Sequence, residues 1–197
     1  IKSIDTSAAA AMPGVKAIIT SDDFPEISSE EAMSGESVVD FRDLSRNVMA
    51  RDKVLYIGHP VAAIAATTRQ EAEAAARAID IEYETLPHVL DAVEAMQPDA
   101  PILHEDLETA GAESDGGGPT NVAKRHVFER GDVESAFASA DVVIEREFKT
   151  RQVHQGYIEP HAVVADTGED GRALVWCSSQ GHFLVRNQTA TVLGWEP

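Results

Sequence analysis

The sequence is short of cysteine and of positive charge. Its single cysteine, Cys177, excludes an internal disulfide framework and a cysteine-rich metal site, and suits a reducing compartment. The 16 basic residues face 34 acidic ones, and the formal net charge of -18 repels phosphate backbones and anionic lipid headgroups. No apolar run approaches the roughly 18 residues that a membrane-spanning helix needs. We therefore expect a cytoplasmic protein without nucleic-acid or membrane partners.

The two ends of the sequence lack the usual marks of a complete chain. The first residue is Ile1 rather than a methionine, and Pro197 follows a helical pattern directly. No leading basic segment with a long apolar core is present. We expect the 197 residues to be a piece of something longer, with room for one core or two small ones.

Hydrophobic periodicity and turn residues predict a first α+β region over residues 1–104. A short alanine-rich helix and a turn at Pro13-Gly14 precede a strand over 15–20. Residues 21–51 are acidic and sparsely apolar, and they predict a long irregular excursion. Further along, the patterns predict a strand, a turn and a strand over 54–67, a helix over 70–78, a strand from Ile79 with alternating outward acids, and a short helix before Pro98.

A second, mostly β region is predicted over 121–197. It follows a flexible acidic and glycine-rich linker over 105–120, which has almost nothing to bury. The predicted elements are strands at 122–131, 141–152, 159–166 and 173–179, a short helix over 133–138 and a terminal helix. The linker glycines at 116–118 lack the lysine and the Ser or Thr of a phosphate-binding loop, so we interpret them as spacer.

Several side-chain clusters could carry chemistry but have ordinary explanations. His154, Glu159 and His161 are metal-ligand types without a known metal spacing, and we interpret them as structural polar residues. Cys177 could be a thiolate nucleophile, but its apolar neighbours predict a small buried core residue. Four carboxylates on a predicted strand and a predicted surface helix could suggest acid/base chemistry or cation binding, but we interpret them as solvated charge. They are Glu82, Glu84, Asp91 and Glu94. The acidic segment 21–37 lacks the ligand spacing of a calcium loop.

Gln180 stands in SSQGH, between an apolar strand and an amphipathic helix. Its amide offers two donors and one acceptor, and backbone N–H groups converge at a helix N-terminus. The corner could therefore hold a polar or anionic ligand. The competing interpretation makes Gln180 a plain helix-entry residue, with Ser178 or Ser179 as the helix cap.

Several segments together resemble one family, the large molybdenum-binding subunit of xanthine dehydrogenases, aldehyde oxidases and carbon monoxide dehydrogenases. VLYIGHPVAAIAATTRQEAEAAARAIDIEYETLPHVLDAVEA at residues 54–95, and the opening IDTSAAAAMPGVKAIITSDDFP, resemble its a/b hammerhead domain. RGDVESAFASADVVIEREFKTRQVHQGYIEPHAVVA at 130–165 and LVWCSSQGHFLVRNQTATVLG at 174–194 are similar to the beginning of its molybdopterin-binding domain.

The resemblance implies an α+β fold and a molybdopterin-type cofactor in the full-length protein, with Fe–S and FAD on partner subunits or domains. It places Gln180 beside the molybdenum, where it would hydrogen-bond an oxo ligand, with Gly181 next to it. Glu159 becomes a packing or positioning residue, and His154 and His161 gain no metal role because the pterin holds the metal. The general-base glutamate and a glycine-rich loop of the family would lie beyond Pro197, so no catalytic residue is expected within the chain.

The implied activity is oxidative hydroxylation of an aldehyde, an N-heterocycle or a related small substrate, in an oligomer. The isolated piece is expected to be inactive. The alternative from another class is a noncatalytic scaffold that docks Fe–S or flavin subunits through residues 21–51. A thiol hydrolase based on Cys177 is a third hypothesis.

Overall fold

The computed structural model describes residues 1–34, 37–109, 118–151 and 153–197. These residues form two compact units. One combines Ile1–Leu86 with His161–Pro197, and the other is Pro87–Pro160. The first unit thus joins the start of the chain to its end, while the middle of the chain folds separately. No helix among the described residues is long and apolar enough to cross a membrane.

Two antiparallel strand pairs form the first unit's framework. Strand β1 (Ser3–Asp5) pairs with β6 (Asp80–Glu82), and β2 (Val15–Thr20) pairs with β5 (Ala62–Ala66), with a register shift between Val15 and Ala17. Both pairs join segments that are distant in sequence. The connecting elements begin with helix α1 (Ser7–Ala10) and a 3-10 turn over Ser21–Asp23.

Helix α3 (Arg69–Ala76) packs against β5 and β2, as its alanine-rich face predicts. A capping box starts it: the Thr68 side chain accepts from the Glu71 N–H at 3.3 Å, and the Glu71 carboxylate accepts from the Thr68 N–H at 3.0 Å. The same carboxylate lies where a Cβ on Gly14 would sit, and Gly14 has φ +82°. Glycine is therefore required at this turn for both space and backbone conformation.

Residues 21–51 are more ordered than the sequence predicts. The hairpin of β3 (Glu31–Ser34) and β4 (Ser37–Asp40) leads into helix α2 (Phe41–Val48). Asp40 begins the helix by accepting from the backbone N–H groups of Arg42 at 2.8 Å and Asp43 at 3.3 Å. The prediction of a long irregular excursion was wrong, because the described residues of this segment form a hairpin and a capped helix.

The chain re-enters the first unit through strands β7 (Val163–Thr167) and β8 (Ala173–Cys177), which form a hairpin. Helix α6 (His182–Leu193) follows and packs against α2. These three elements confirm the two strands predicted at 159–166 and 173–179 and the predicted terminal helix. Every residue of β7 and β8 is exposed, however, so the hairpin has no cover on either face within the described residues.

The second unit has little regular structure. It contains helices α4 (Ala92–Ala95) and α5 (Val133–Ser139), each begun by an aspartate cap. Asn121 ties its loops together by accepting from the Leu103 N–H at 3.0 Å and donating to the carbonyls of Ala95 and Pro101 at 3.0 and 2.9 Å. Both helices confirm the sequence prediction.

Three predicted strands are absent from the described residues. Residues 54–57, 122–131 and 141–151 have strand-like sequences but form no strand. The alternation from Ile79 onward predicts that Tyr83 points toward the core, but Tyr83 is 51% exposed. A strand needs a neighbour for its ladder and cover for its apolar face, and these segments find neither. Half of the predicted linker over 105–120, residues 110–117, lies outside the described residues.

Candidate functional site

The corner around Gln180 lies between strand β8 and helix α6. The strand ends at Cys177, Ser178 and Ser179 follow it outside any regular element, and the chain bends at Gln180. The side chain of Gln180 is exposed. The neutral amide is thus presented at the start of a helix of 12 residues, as the sequence predicts.

Gly181 is the N-cap of helix α6, and neither serine is. Its backbone is extended, with φ −157° and ψ 91°, and no side chain caps the helix. The prediction of Ser178 or Ser179 as the cap was therefore wrong. An N-terminus whose cap supplies no side-chain acceptor, and whose first turn has no acidic residue, keeps a positive electrostatic potential toward a ligand oxygen.

The local structure does not require a glycine at position 181. A Cβ built on it would lie 3.5 Å from the Leu184 Cβ, which is an ordinary van der Waals contact. Its φ lies in the extended region that any residue adopts. Neither space nor backbone conformation requires glycine at position 181. A glycine here would let a ligand approach the backbone closely.

The other predicted clusters do not form a site. In the part of the chain that the structure describes, no group of three His, Cys, Asp or Glu residues could hold a metal ion. The His154 Nδ1 accepts from the Gly156 N–H at 3.0 Å, and its ring lies 4.9 Å from the Tyr157 ring. The contacts of His154 with Gly156 and Tyr157 are thus local along the chain.

Cys177 differs from its predicted environment. It is exposed at the end of β8, opposite Val163, and the neighbouring Trp176 is 52% exposed. The prediction of a buried core residue was wrong because the hairpin is uncovered. Exposure alone does not activate a thiol, which needs a lowered pKa and a base in contact.

The acidic candidates are surface or capping groups. Asp91 accepts from the N–H groups of Val93 at 2.8 Å and Glu94 at 3.0 Å, and these bonds to Glu94 and Val93 lower the pKa of its carboxyl. Glu84 lies 3.6 Å from the ammonium of Lys2, with both side chains exposed. All four of the predicted carboxylates are exposed, as the interpretation of solvated charge expects, and they are Glu82, Glu84, Asp91 and Glu94.

Sequence reasoning missed the buried His59. It is only 5% exposed, and its Nδ1 accepts from the Leu55 N–H at 3.2 Å. The Nε2 therefore carries the proton and donates to the carbonyl of Arg46, 2.9 Å away. The available signal was the Gly58-His59-Pro60 turn, because Gly58 with φ +92° lets the chain fold back and bury the imidazole.

Comparison with known proteins divides the chain into two family regions. Residues 1–87 match the model described as "Aldehyde oxidase and xanthine dehydrogenase, a/b hammerhead domain". Residues 115–197 match the model of the "Molybdopterin cofactor-binding domain", which includes the Gln180 corner. The chain belongs to the xanthine dehydrogenase and aldehyde oxidase family of molybdenum enzymes.

Individual relatives agree with this assignment. The chain is 30% identical to the carbon monoxide dehydrogenase large chain of Afipia carboxidovorans, with 98% of the chain and 24% of the relative aligned. It is 34% identical to a probable xanthine dehydrogenase subunit of Bacillus subtilis, with 98% and 23% aligned. The solved aldehyde oxidoreductase of Desulfovibrio gigas superposes with a TM-score of 0.75 at 29% identity, covering 100% of this chain and 20% of that one.

The family assignment establishes the fold class of this chain. It does not establish the activity, substrate or partners of the whole protein. The α+β fold with a hammerhead-type region is confirmed. The chain spans about a quarter of the curated relatives named above. Those relatives carry names that mark them as one component among others, a large chain in one case and a subunit in the other.

Proposed function

We propose that the chain is part of the molybdenum-binding subunit of an oxidative hydroxylase. The observation that carries the proposal is the exposed amide of Gln180 at the start of helix α6, inside the region that matches a molybdopterin cofactor-binding domain. The substrate class would be an aldehyde, an N-heterocycle or a related small molecule. Electrons would leave through Fe–S and FAD groups on partner subunits or domains.

The donor set at the corner suits a molybdopterin cofactor. A metal already held by a pterin needs hydrogen-bond donors from the protein rather than additional ligands. Gln180 supplies an N–H donor that stays neutral at every physiological pH, and the first turn of α6 supplies backbone donors. Gly181 leaves room beside them. When bound, the cofactor would supply the redox chemistry.

Gln180 would act by orienting and stabilising an oxygen atom of the bound cofactor. Its amide N–H would donate a hydrogen bond to that oxygen, and a preorganised donor of this kind contributes most where negative charge develops. The helix N-terminus adds a favourable potential of the same sign. Gln180 and Gly181 would therefore be cofactor-binding residues, and the proton-abstracting base would lie outside this chain.

The test is Gln180→Ala in the full-length protein to which this chain belongs. Loss of one preorganised donor should lower kcat by about 10²- to 10³-fold. The unfolding midpoint followed by fluorescence of Trp176 and Trp195 should stay unchanged. Gln70→Ala is the matched control, because Gln70 is also an exposed glutamine and lies on helix α3. A metal-loaded Gln180→Ala enzyme with unchanged turnover would contradict the assignment.

Gly181→Ala gives an independent readout that does not use turnover. The fold tolerates the added methyl group, so the variant should keep wild-type unfolding behaviour. If the cofactor approaches this backbone closely, the variant should be purified with less bound molybdopterin. Equal cofactor content in both proteins would remove Gly181 from the site while leaving Gln180 untouched.

The scaffold alternative also remains a proposal. Residues 21–51 form a hairpin and a helix, which could dock an Fe–S or flavin protein. Variants of exposed residues in this segment would then impair assembly of the complex without changing cofactor content, whereas variants at Gln180 would do the reverse.

A further inference from the structure

Helix α6 is fixed at its C-terminal end rather than at the end that carries Gln180. Ala190 and Val192 are 7% and 6% exposed, while both strands that lead to the corner are exposed throughout. The helix packs on α2, which belongs to the region that matches the hammerhead domain. Within the described residues, the corner is therefore held in place mainly through its helix.

The end of the helix rests on Pro25. Gly194 has φ +69° and closes the helix with two backbone bonds, from the Gly194 N–H to the Thr191 carbonyl at 3.0 Å and from the Trp195 N–H to the Ala190 carbonyl at 2.8 Å. A Cβ on Gly194 would lie 3.2 Å from the Pro25 Cγ. A methyl group at this position would therefore crowd Pro25, which places Pro25 next to the end of the helix.

Pro25 is itself held by Arg51. The guanidinium donates to the Pro25 carbonyl at 2.9 Å and to the Glu26 carboxylate at 2.9 Å, and the Arg51 side chain is only 16% exposed. Arg51 follows Met49 and Ala50, which are 4% and 0% exposed. The support under Gly194 is thus anchored in a buried part of the first unit.

We propose that Pro25 and Arg51 are positioning residues that set the location of Gln180 through helix α6. The 12 residues of the helix make a stiff rod of about 18 Å, so a tilt of about 10° at Gly194 displaces the corner by about 3 Å. Displacements of about 1 Å can cost a catalytic site 100-fold in rate. The catalytic consequence of this link between Pro25, helix α6 and Gln180 rests on the proposed function. The structural link itself does not.

The experiment measures the backbone amide chemical shifts of residues 178–182 in the full-length protein to which this chain belongs, with ¹⁵N label restricted to serine, glutamine, glycine and histidine. Gly194→Ala adds a methyl group against Pro25, and we expect the shifts of Gln180 and Gly181 to move. In the double variant Gly194→Ala with Pro25→Ala, the Cγ of residue 25 is removed, and the shifts of Gln180 and Gly181 should move part of the way back to the wild-type values. Gly171→Ala is the matched control, because Gly171 has φ +77° and nothing within 4 Å, so it adds the same backbone strain without a contact.

Arg51→Gln tests the support without altering the helix cap. It removes the charged anchor of Pro25, and the same amides should shift in the same direction as in Gly194→Ala. If both variants change the amide shifts only of residues near 190–195 and leave those of 178–182 as in the wild type, the proposed positioning role of Pro25 and Arg51 is wrong. This readout needs no cofactor, so failure of the Gln180 assignment would appear separately, as unchanged turnover of Gln180→Ala.

Discussion

His59 binds the end of helix α2 to a loop that is distant in sequence. Its Nε2–H satisfies the Arg46 carbonyl, and the Tyr56 hydroxyl donates to the Asn47 carbonyl at 3.4 Å. Both carbonyls belong to the last turn of the helix, where no helical donor is available. The Tyr56 and His59 rings stack at 4.6 Å. Two side chains of one turn thus replace a conventional C-cap.

Replacing His59 with alanine should destabilise the first unit by about 2 kcal/mol, because the Arg46 carbonyl and the Leu55 N–H both lose their bond to the imidazole in a half-buried place. The measurement is urea unfolding followed by tryptophan fluorescence, since both tryptophans, Trp176 and Trp195, lie in that unit. His88→Ala, at an exposed histidine, should change the stability by less than about 0.5 kcal/mol. Equal effects of the two substitutions would refute the role of His59.

At the scale of elements, three short helices begin with an aspartate cap. The pKa of Asp132 is lowered by the backbone and side-chain hydrogen bonds of Ser135, and that of Asp91 by the N–H groups of Glu94 and Val93. For Asp40, partial desolvation raises the pKa, but hydrogen bonds from Ser29, Arg42 and Asp43 outweigh it and the net direction is down. Each carboxylate is therefore favoured in its charged form when its helix is folded.

Acid should consequently weaken these helices. A carboxyl whose pKa is lower in the folded chain than in the unfolded chain contributes stability above the unfolded value, and this contribution is lost as pH falls through the folded value. We expect the helical circular dichroism signal to fall below about pH 4. The triple variant Asp40→Asn, Asp91→Asn and Asp132→Asn keeps a capping oxygen but cannot titrate. Its signal should lose less over the same range, and an unchanged acid transition would exclude the caps as its cause.

At the scale of the whole molecule, large apolar side chains of the described residues are exposed, such as Phe128 at 92% and Ile158 at 96%. Clusters of exposed apolar side chains favour contact with other polypeptide.

The 197-residue chain alone should therefore bind a dye that reports exposed apolar surface, such as ANS, and should self-associate as its concentration rises. The variant Val164→Thr with Leu174→Thr replaces two exposed apolar side chains of the β7–β8 hairpin, one on each strand. It should bind less dye and self-associate less, with unchanged helical signal. Absence of dye binding by the wild-type chain would show that the apolar surface is covered in solution.

The sequence by itself determined the elements whose signals are local. The helix predicted over 70–78 corresponds to α3, and the strands predicted at 159–166 and 173–179 correspond to β7 and β8. The sequence also placed Gln180 between a strand and a helix, and the family resemblance rested on motif order along the chain. These features depend on capping, turn geometry and hydrophobic period within about ten residues of each other.

Only the tertiary structure decided which distant segments meet. The pairing of β1 with β6, the burial of His59 against the end of α2, and the seat of Gly194 on Pro25 join residues that are far apart in the sequence. Strand-like runs such as 141–151 stayed unpaired because a strand forms only where a partner offers hydrogen bonds and cover. Local pattern records what a segment prefers, whereas pairing and burial depend on which other surfaces are present.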